Sequence, residues 1–184
     1  MIEQKILNKY LENGYTLFSL NGKKPTVKWG FLRFNPLLTA QDFPYGNYGV
    51  KLGPEDLVVD IDPRNFNGVN PVPLLQSAIN FQFKEATFTV KTGGGGLHLY
   101  FKKDPSIAVR GALKEYPGIE FKSVGCYVVG ADSVHPDTKK PYLIIYDRPV
   151  AACPQSLLDL LCKTGIAAAP GIIDYVSDRT KDTK

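Results

Sequence analysis

The chain has 184 residues, of which 43% are hydrophobic, enough for a sizeable core and too many for a disordered chain. Lysine and arginine number 22 against 18 acids, and the net charge of +4 permits a polyanionic partner without requiring one. Three cysteines, an odd count with no CxxC pair, argue against a disulfide framework or a cysteine zinc site and fit a reducing compartment.

The opening MIEQKILNKYLENGY is charged and lacks the apolar core of a signal peptide, and no apolar run reaches ~18 residues. A cytoplasmic protein with no membrane partner is therefore expected. Ile2, Ile6, Leu7, Tyr10 and Leu11 fall at helical spacing, and Asn13-Gly14 closes that helix. YTLFSL (15–20) reads as a strand, NGKKP as a turn, and YGVKLG and LVVDID as two strands around a Gly-Pro-Glu-Asp turn. A short helix is predicted over 72–80. ATFTVKT, four glycines and LHLYFKK read as a hairpin, and GIEFK with CYVVG as a second one. PYLIIYD is a further strand, and PQSLLDLLCKTG a helix with Pro154 near its start and Gly165 just past its end. This order predicts an α+β fold with a mostly antiparallel sheet core and flanking helices. One domain is expected over 1–165, followed by a small-residue and polar tail, 166–184, that resembles a linker.

Three stretches could carry chemistry. In LVVDIDPRN, Asp60 and Asp62 are two residues apart, so on a strand they share a face, roughly 7 Å apart along the backbone. Paired carboxylates suit Mg²⁺ or Mn²⁺, and equally suit a solvated strand end that opens an Asp-Pro turn. In GGGGLHLYFK, alternation puts Leu97, Leu99 and Phe101 on one face and His98, Tyr100 and Lys102 on the other, away from the apolar side. The glycine backbone fits close approach by phosphate oxygens, or a slack loop. In GIEFK, Glu120 and Lys122 share a face opposite Ile119 and Phe121; Glu120 reads either as a site acid or as the surface partner of Lys122.

In order and spacing, VVDID, GLH and GIEFK resemble the hhhDhD, S/G-x-H and hD/E motifs of the bifunctional primase–polymerase (prim-pol) domain of the archaeo-eukaryotic primase superfamily. The flanks GKKP…W, YGVKLG and GCYVVGADSVHP…Y are similar to that family's pattern, so the resemblance spans roughly residues 10–147. Gly96 stands where the family often has serine, and Glu120 where Asp is common. The resemblance implies an antiparallel RRM-like catalytic unit joined to a small N-terminal α/β unit. It also implies template-directed nucleotidyl transfer, as a DNA primase and polymerase acting in DNA replication, with a plasmid, phage or other mobile element as source. Asp60, Asp62 and Glu120 would hold two Mg²⁺ or Mn²⁺ ions, and His98 would contact the triphosphate. Gly95, Gly96, Lys122 and Lys91 would complete the nucleotide site, with Lys23 and Lys102 as weaker phosphate candidates. Single-stranded or primer-template DNA, NTP or dNTP, and a fused or associated helicase are the implied partners. Two other classes remain on the sequence alone. A DxD nucleotide-sugar transferase would use Asp60 and Asp62 but leaves His98 and Glu120 unused, and a silent nucleic-acid-binding module would not need the acids.

Overall fold

The computed structural model describes residues 2–162. The tail predicted over 166–184 and the predicted helix end at Gly165 lie outside the described residues. In chain order the elements are α1 (Gln4–Glu12), β1 (Thr16–Asn21), β2 (Lys24–Pro25), β3 (Asn47–Lys51), β4 (Asp56–Ile61), α2 (Val72–Ile79), β5 (Thr89–Lys91), β6 (Leu97–Lys102), β7 (Ile119–Lys122), β8 (Tyr127–Val129), β9 (Leu143–Tyr146), β10 (Ala151–Ala152) and α3 (Gln155–Leu161). The expected α+β class and the mostly antiparallel pairing are both present. Each helix follows its sequence logic. Leu7, Tyr10 and Leu11 make one buried stripe on α1, and Leu157, Leu158 and Leu161 make one on α3. Asn80 ends α2 in the left-handed conformation that asparagine tolerates. Among the described residues no helix is long and apolar enough to cross a membrane.

The strands form two sheets, one of four strands in the order β2-β1-β3-β8 and one of six built on β7-β4-β6-β5-β9, with β10 parallel to β6. The six-stranded sheet is covered on both faces. Leu57, Val59, Ile61, Leu99, Phe101, Ile119 and Phe121 face a core shared with α2 and α3. Val58, Val90 and Tyr100 face a second core, shared with α1 and the four-stranded sheet. Tyr10 is a hub of this second core, meeting Tyr15, Tyr48, Phe88 and Tyr100 edge-on.

Two expectations change. GIEFK and CYVVG do not form a hairpin: β7 pairs with β4, whereas β8 pairs with β3 in the other sheet. The chain crosses between sheets at Ser123–Gly125, where Gly125 has φ +82° and the Ser123 hydroxyl donates to the Asp56 carbonyl. Each strand goes where its apolar residues are needed. Ile119 and Phe121 join the core under α2 and α3, and Val128 and Val129 join the other. The His98 face of β6 is not a solvent face either, because Tyr100 on the same face is fully buried. Alternation separates faces, but it does not separate core from water when a sheet is buried on both sides. The predicted β5–β6 hairpin is present, in the register Val90↔His98.

Candidate functional site

β4 reads DLVVDI, a run buried on both faces except at Asp60, whose side chain keeps 20% exposure. Asp60 interrupts the apolar series that faces the second core, at the sheet end where that core opens. Register then builds the site. Asp60 lies opposite His98 on β6 and opposite Glu120 on β7. Directly opposed residues share a face, so Glu120, Asp60 and His98 form one row across three neighbouring strands. Lys122, opposite Val58, is on the same face.

The row is graded in exposure, from Glu120 at 59% through Asp60 to a buried His98. Lys122 Nζ lies 2.5 Å from Glu120 and 3.6 Å from Asp60. Burial lowers the Lys122 ammonium, but the Glu120 hydrogen bond and the Asp60 and Glu120 charges outweigh it and hold the pKa above its ordinary value, so Lys122 stays charged. His98 Nε2 is 3.6 Å from Asp60, too long for a hydrogen bond. Burial pushes the His98 imidazole below its ordinary value despite the opposing pull of Asp60, so it is neutral at pH 7. Its Nδ1 is sealed from solvent without a well-formed hydrogen bond. Tyr142 packs 6.0 Å from His98 and 6.2 Å from His135, tying both histidines into one aromatic row. Burial pushes the Tyr142 hydroxyl up to about 12, so it remains protonated.

Asp62 departs from the two-residue strand pattern. β4 ends at Ile61, and Asp62 caps the 3₁₀ turn Pro63–Asn65. Its carboxylate accepts from Arg64 Nε at 2.9 Å, Arg64 Nη2 at 2.7 Å and the Arg64 backbone N–H at 3.1 Å. Arg64 holds this carboxyl below the usual range. Arg64 escaped the sequence reading, although the Asp-Pro-Arg order was its signal: an aspartate that opens a turn meets the side chain two residues on.

Two cavities meet at Asp60. One, of about 410 Å³, has Asp60, His98, Lys122 and Lys23 at its polar side and Trp29 and Tyr127 among its walls. The other, of about 230 Å³, is lined by Asp60, Asp62 and Glu120 together with Asn65. The structure thus brings together Asp60, Asp62, Glu120, His98 and Lys122. Gly95 and Gly96 line an apolar cavity beyond Ile61 and Leu97, and Lys91 lines another with Gly93, Gly94 and Lys140. Neither of these cavities reaches Asp60 or His98. The Gly95 and Gly96 N–H groups are bonded within their own turn, to the Thr92 carbonyl at 3.0 Å and the Thr92 hydroxyl at 2.9 Å.

Among the described residues no three His, Cys, Asp or Glu side chains stand close enough together to hold a metal ion. The donor set nevertheless fits one chemically: three carboxylates line a single cavity, and hard oxygen donors suit Mg²⁺ or Mn²⁺. In this structure Lys122 pairs with Glu120 and Arg64 with Asp62.

The family model described as bifunctional DNA primase/polymerase, N-terminal, matches residues 7–156, which include every element from the middle of α1 to the start of α3. No curated protein matches the chain.

Proposed function

We propose, because the chain belongs to the bifunctional DNA primase/polymerase family, that it joins nucleotides on a DNA template and that the Glu120–Asp60–His98 row is its catalytic centre. The family is one of nucleotidyltransferases that bind DNA and nucleotides. The observation that carries the reading for this chain is the row itself: two acids and a neutral imidazole, in register on adjacent strands, lining two cavities that share Asp60.

In this reading a terminal 3′-hydroxyl attacks the α-phosphate of an NTP or dNTP. A P–O bond forms to that hydroxyl oxygen, its proton leaves, and the bond to pyrophosphate breaks. Asp60, Asp62 and Glu120 would hold Mg²⁺ or Mn²⁺, which when bound would neutralise phosphate charge and lower the pKa of the attacking hydroxyl. His98, neutral and fixed by packing against Tyr142, is a hydrogen-bonding group that adds no charge to the site. Lys122 supplies a permanent positive charge to the phosphates, with Lys23 across the same cavity. Trp29 and Tyr127 give the cavity an aromatic wall against which a base can pack. A fused or associated helicase would supply single-stranded template. The nucleotide-sugar alternative leaves the in-register His98 and Glu120 without a role.

The test is extension of labelled primed and unprimed templates with NTPs or dNTPs and Mg²⁺ or Mn²⁺. Wild type extends, and Asp60→Asn and Glu120→Gln each lose about 100-fold or more in rate while melting like wild type. No extension by wild type, or an undiminished rate in both variants, contradicts the assignment.

A further inference from the structure

Asp62 and Glu120, the outer acids of the site, each carry a cation of the chain's own: Arg64 on Asp62 and Lys122 on Glu120. The Arg64 contact is the more complete. Its Nε and Nη2 take one carboxylate oxygen each, in the fork geometry that makes such pairs strong. Asn65 Nδ2 adds a contact to the second oxygen at 3.3 Å, so both oxygens are occupied. The guanidinium is half exposed and lies over the glycine turn: a side-chain carbon at Gly94 would stand 3.2 Å from its central carbon. A guanidinium that binds one oxyanion bidentately binds a phosphate in the same way.

We propose that Arg64 is a latch that closes Asp62 in the free protein and passes to the nucleotide's phosphates when Asp62 takes up a divalent cation. The proposal rests on the reading of the carboxylates as metal ligands given above. It also gives Gly94 a function, since the absent side chain leaves the guanidinium room over the turn. Asp62 and Arg64 exchange partners together: the acid turns from arginine to metal and the arginine from acid to phosphate. No net charge is buried by the exchange. Arg64 is then a nucleotide-binding residue whose effect on the metal is opposite in sign to its effect on the nucleotide.

That opposition is the test. Mn²⁺ alone is titrated by calorimetry into wild type, Arg64→Ala, Arg64→Lys and Gly94→Ala. A non-hydrolysable deoxynucleoside triphosphate is then titrated at saturating Mn²⁺, and thermal melts check folding. Arg64→Ala is expected to bind Mn²⁺ about two- to fivefold more tightly, the scale of an exposed ion pair removed. It should bind the nucleotide about fivefold or more weakly. Arg64→Lys should fall between, because an ammonium cannot cover both oxygens. Gly94→Ala, which crowds the guanidinium while keeping it, should also tighten Mn²⁺ binding. Failure of Mn²⁺ to bind wild type overturns the metal-site reading and the latch with it. Mn²⁺ binding to wild type that Arg64→Ala leaves unchanged or weakens overturns the latch alone, as does an unaltered nucleotide affinity.

Discussion

At Gly96 the chain has no room for a methyl group, because a Cβ there would run into the carbonyl oxygen of Ile61 on the neighbouring strand and crowd Pro63. The four glycines serve separate ends. Gly93 lies against the Lys140 carbonyl and His135, Gly94 against the Arg64 guanidinium, and Gly95 turns the chain at φ +92° with open space around it. Close approach was legible in GGGG, but not what approaches, since the neighbours come from the end of β4, the turn after it and the loop before β9. Gly96→Ala is therefore expected to cost about 2–3 kcal/mol in chemical denaturation, because rigid backbone must shift. Gly95→Ala should cost about 1–2 kcal/mol, the penalty of a left-handed backbone alone. A loss at Gly96 no larger than that at Gly95 would contradict the steric account, since the Gly96 backbone is not left-handed. His98 and Glu120 were legible as residues on strands. The burial of His98 and the hold of Arg64 on Asp62 were not, because both depend on what packs around the strand end.

At the level of elements, β4 and β6 are pinned in register at the end away from the site by Asp56 and Lys102, which lie directly opposite and 2.5 Å apart. Asp56 is buried and also accepts from the Gly53 N–H at 2.7 Å. Burial raises its pKa despite Lys102 and Gly53, so desolvation outweighs the attraction. A carboxyl whose folded pKa lies above its unfolded one stabilises most when protonated, and that contribution fades as pH rises above the ordinary carboxyl value of 3.8. Asp56→Asn, which can still accept from Gly53, should thus cost no more than about 1 kcal/mol at pH 7 and gain on wild type as pH rises from 3 to 6. Lys102→Met strands a buried carboxylate and should cost about 2–3 kcal/mol at pH 7, discounted because Lys102 is partly exposed. Urea titrations across pH decide it, and a larger loss for Asp56→Asn than for Lys102→Met would refute this account. Strand positions were legible from apolar runs beside turn residues, as in LVVDID, and from alternation, as in LHLYF. Strand partners were not, because a pattern states which face a residue takes and not which strand lies beside it. GIEFK and CYVVG, close in sequence and placed in different sheets, are the case in point.

On the scale of the molecule, the six-stranded sheet separates two apolar cores, and the site opens at the end of β4 where the core shared with the four-stranded sheet gives way to cavities. The Glu120–Asp60–His98 row is held by long-range pairing among β4, β6 and β7, so its three side chains are placed by the sheet rather than by loops. Lys23, Trp29, Tyr127 and Tyr142 come from the flanking segments that frame the motifs in the sequence, and they line the same cavity as Asp60 and His98. The central claim is that nucleotide and metal meet at this row and not on the glycine turn. A crystal structure with Mn²⁺ and a non-hydrolysable deoxynucleoside triphosphate tests it most directly, with manganese located by anomalous scattering. The account predicts manganese among the Asp60, Asp62 and Glu120 carboxylates, with the triphosphate against His98 and Lys122. Manganese away from these carboxylates, or a triphosphate seated on Gly93–Gly96 beside Lys91, would contradict it.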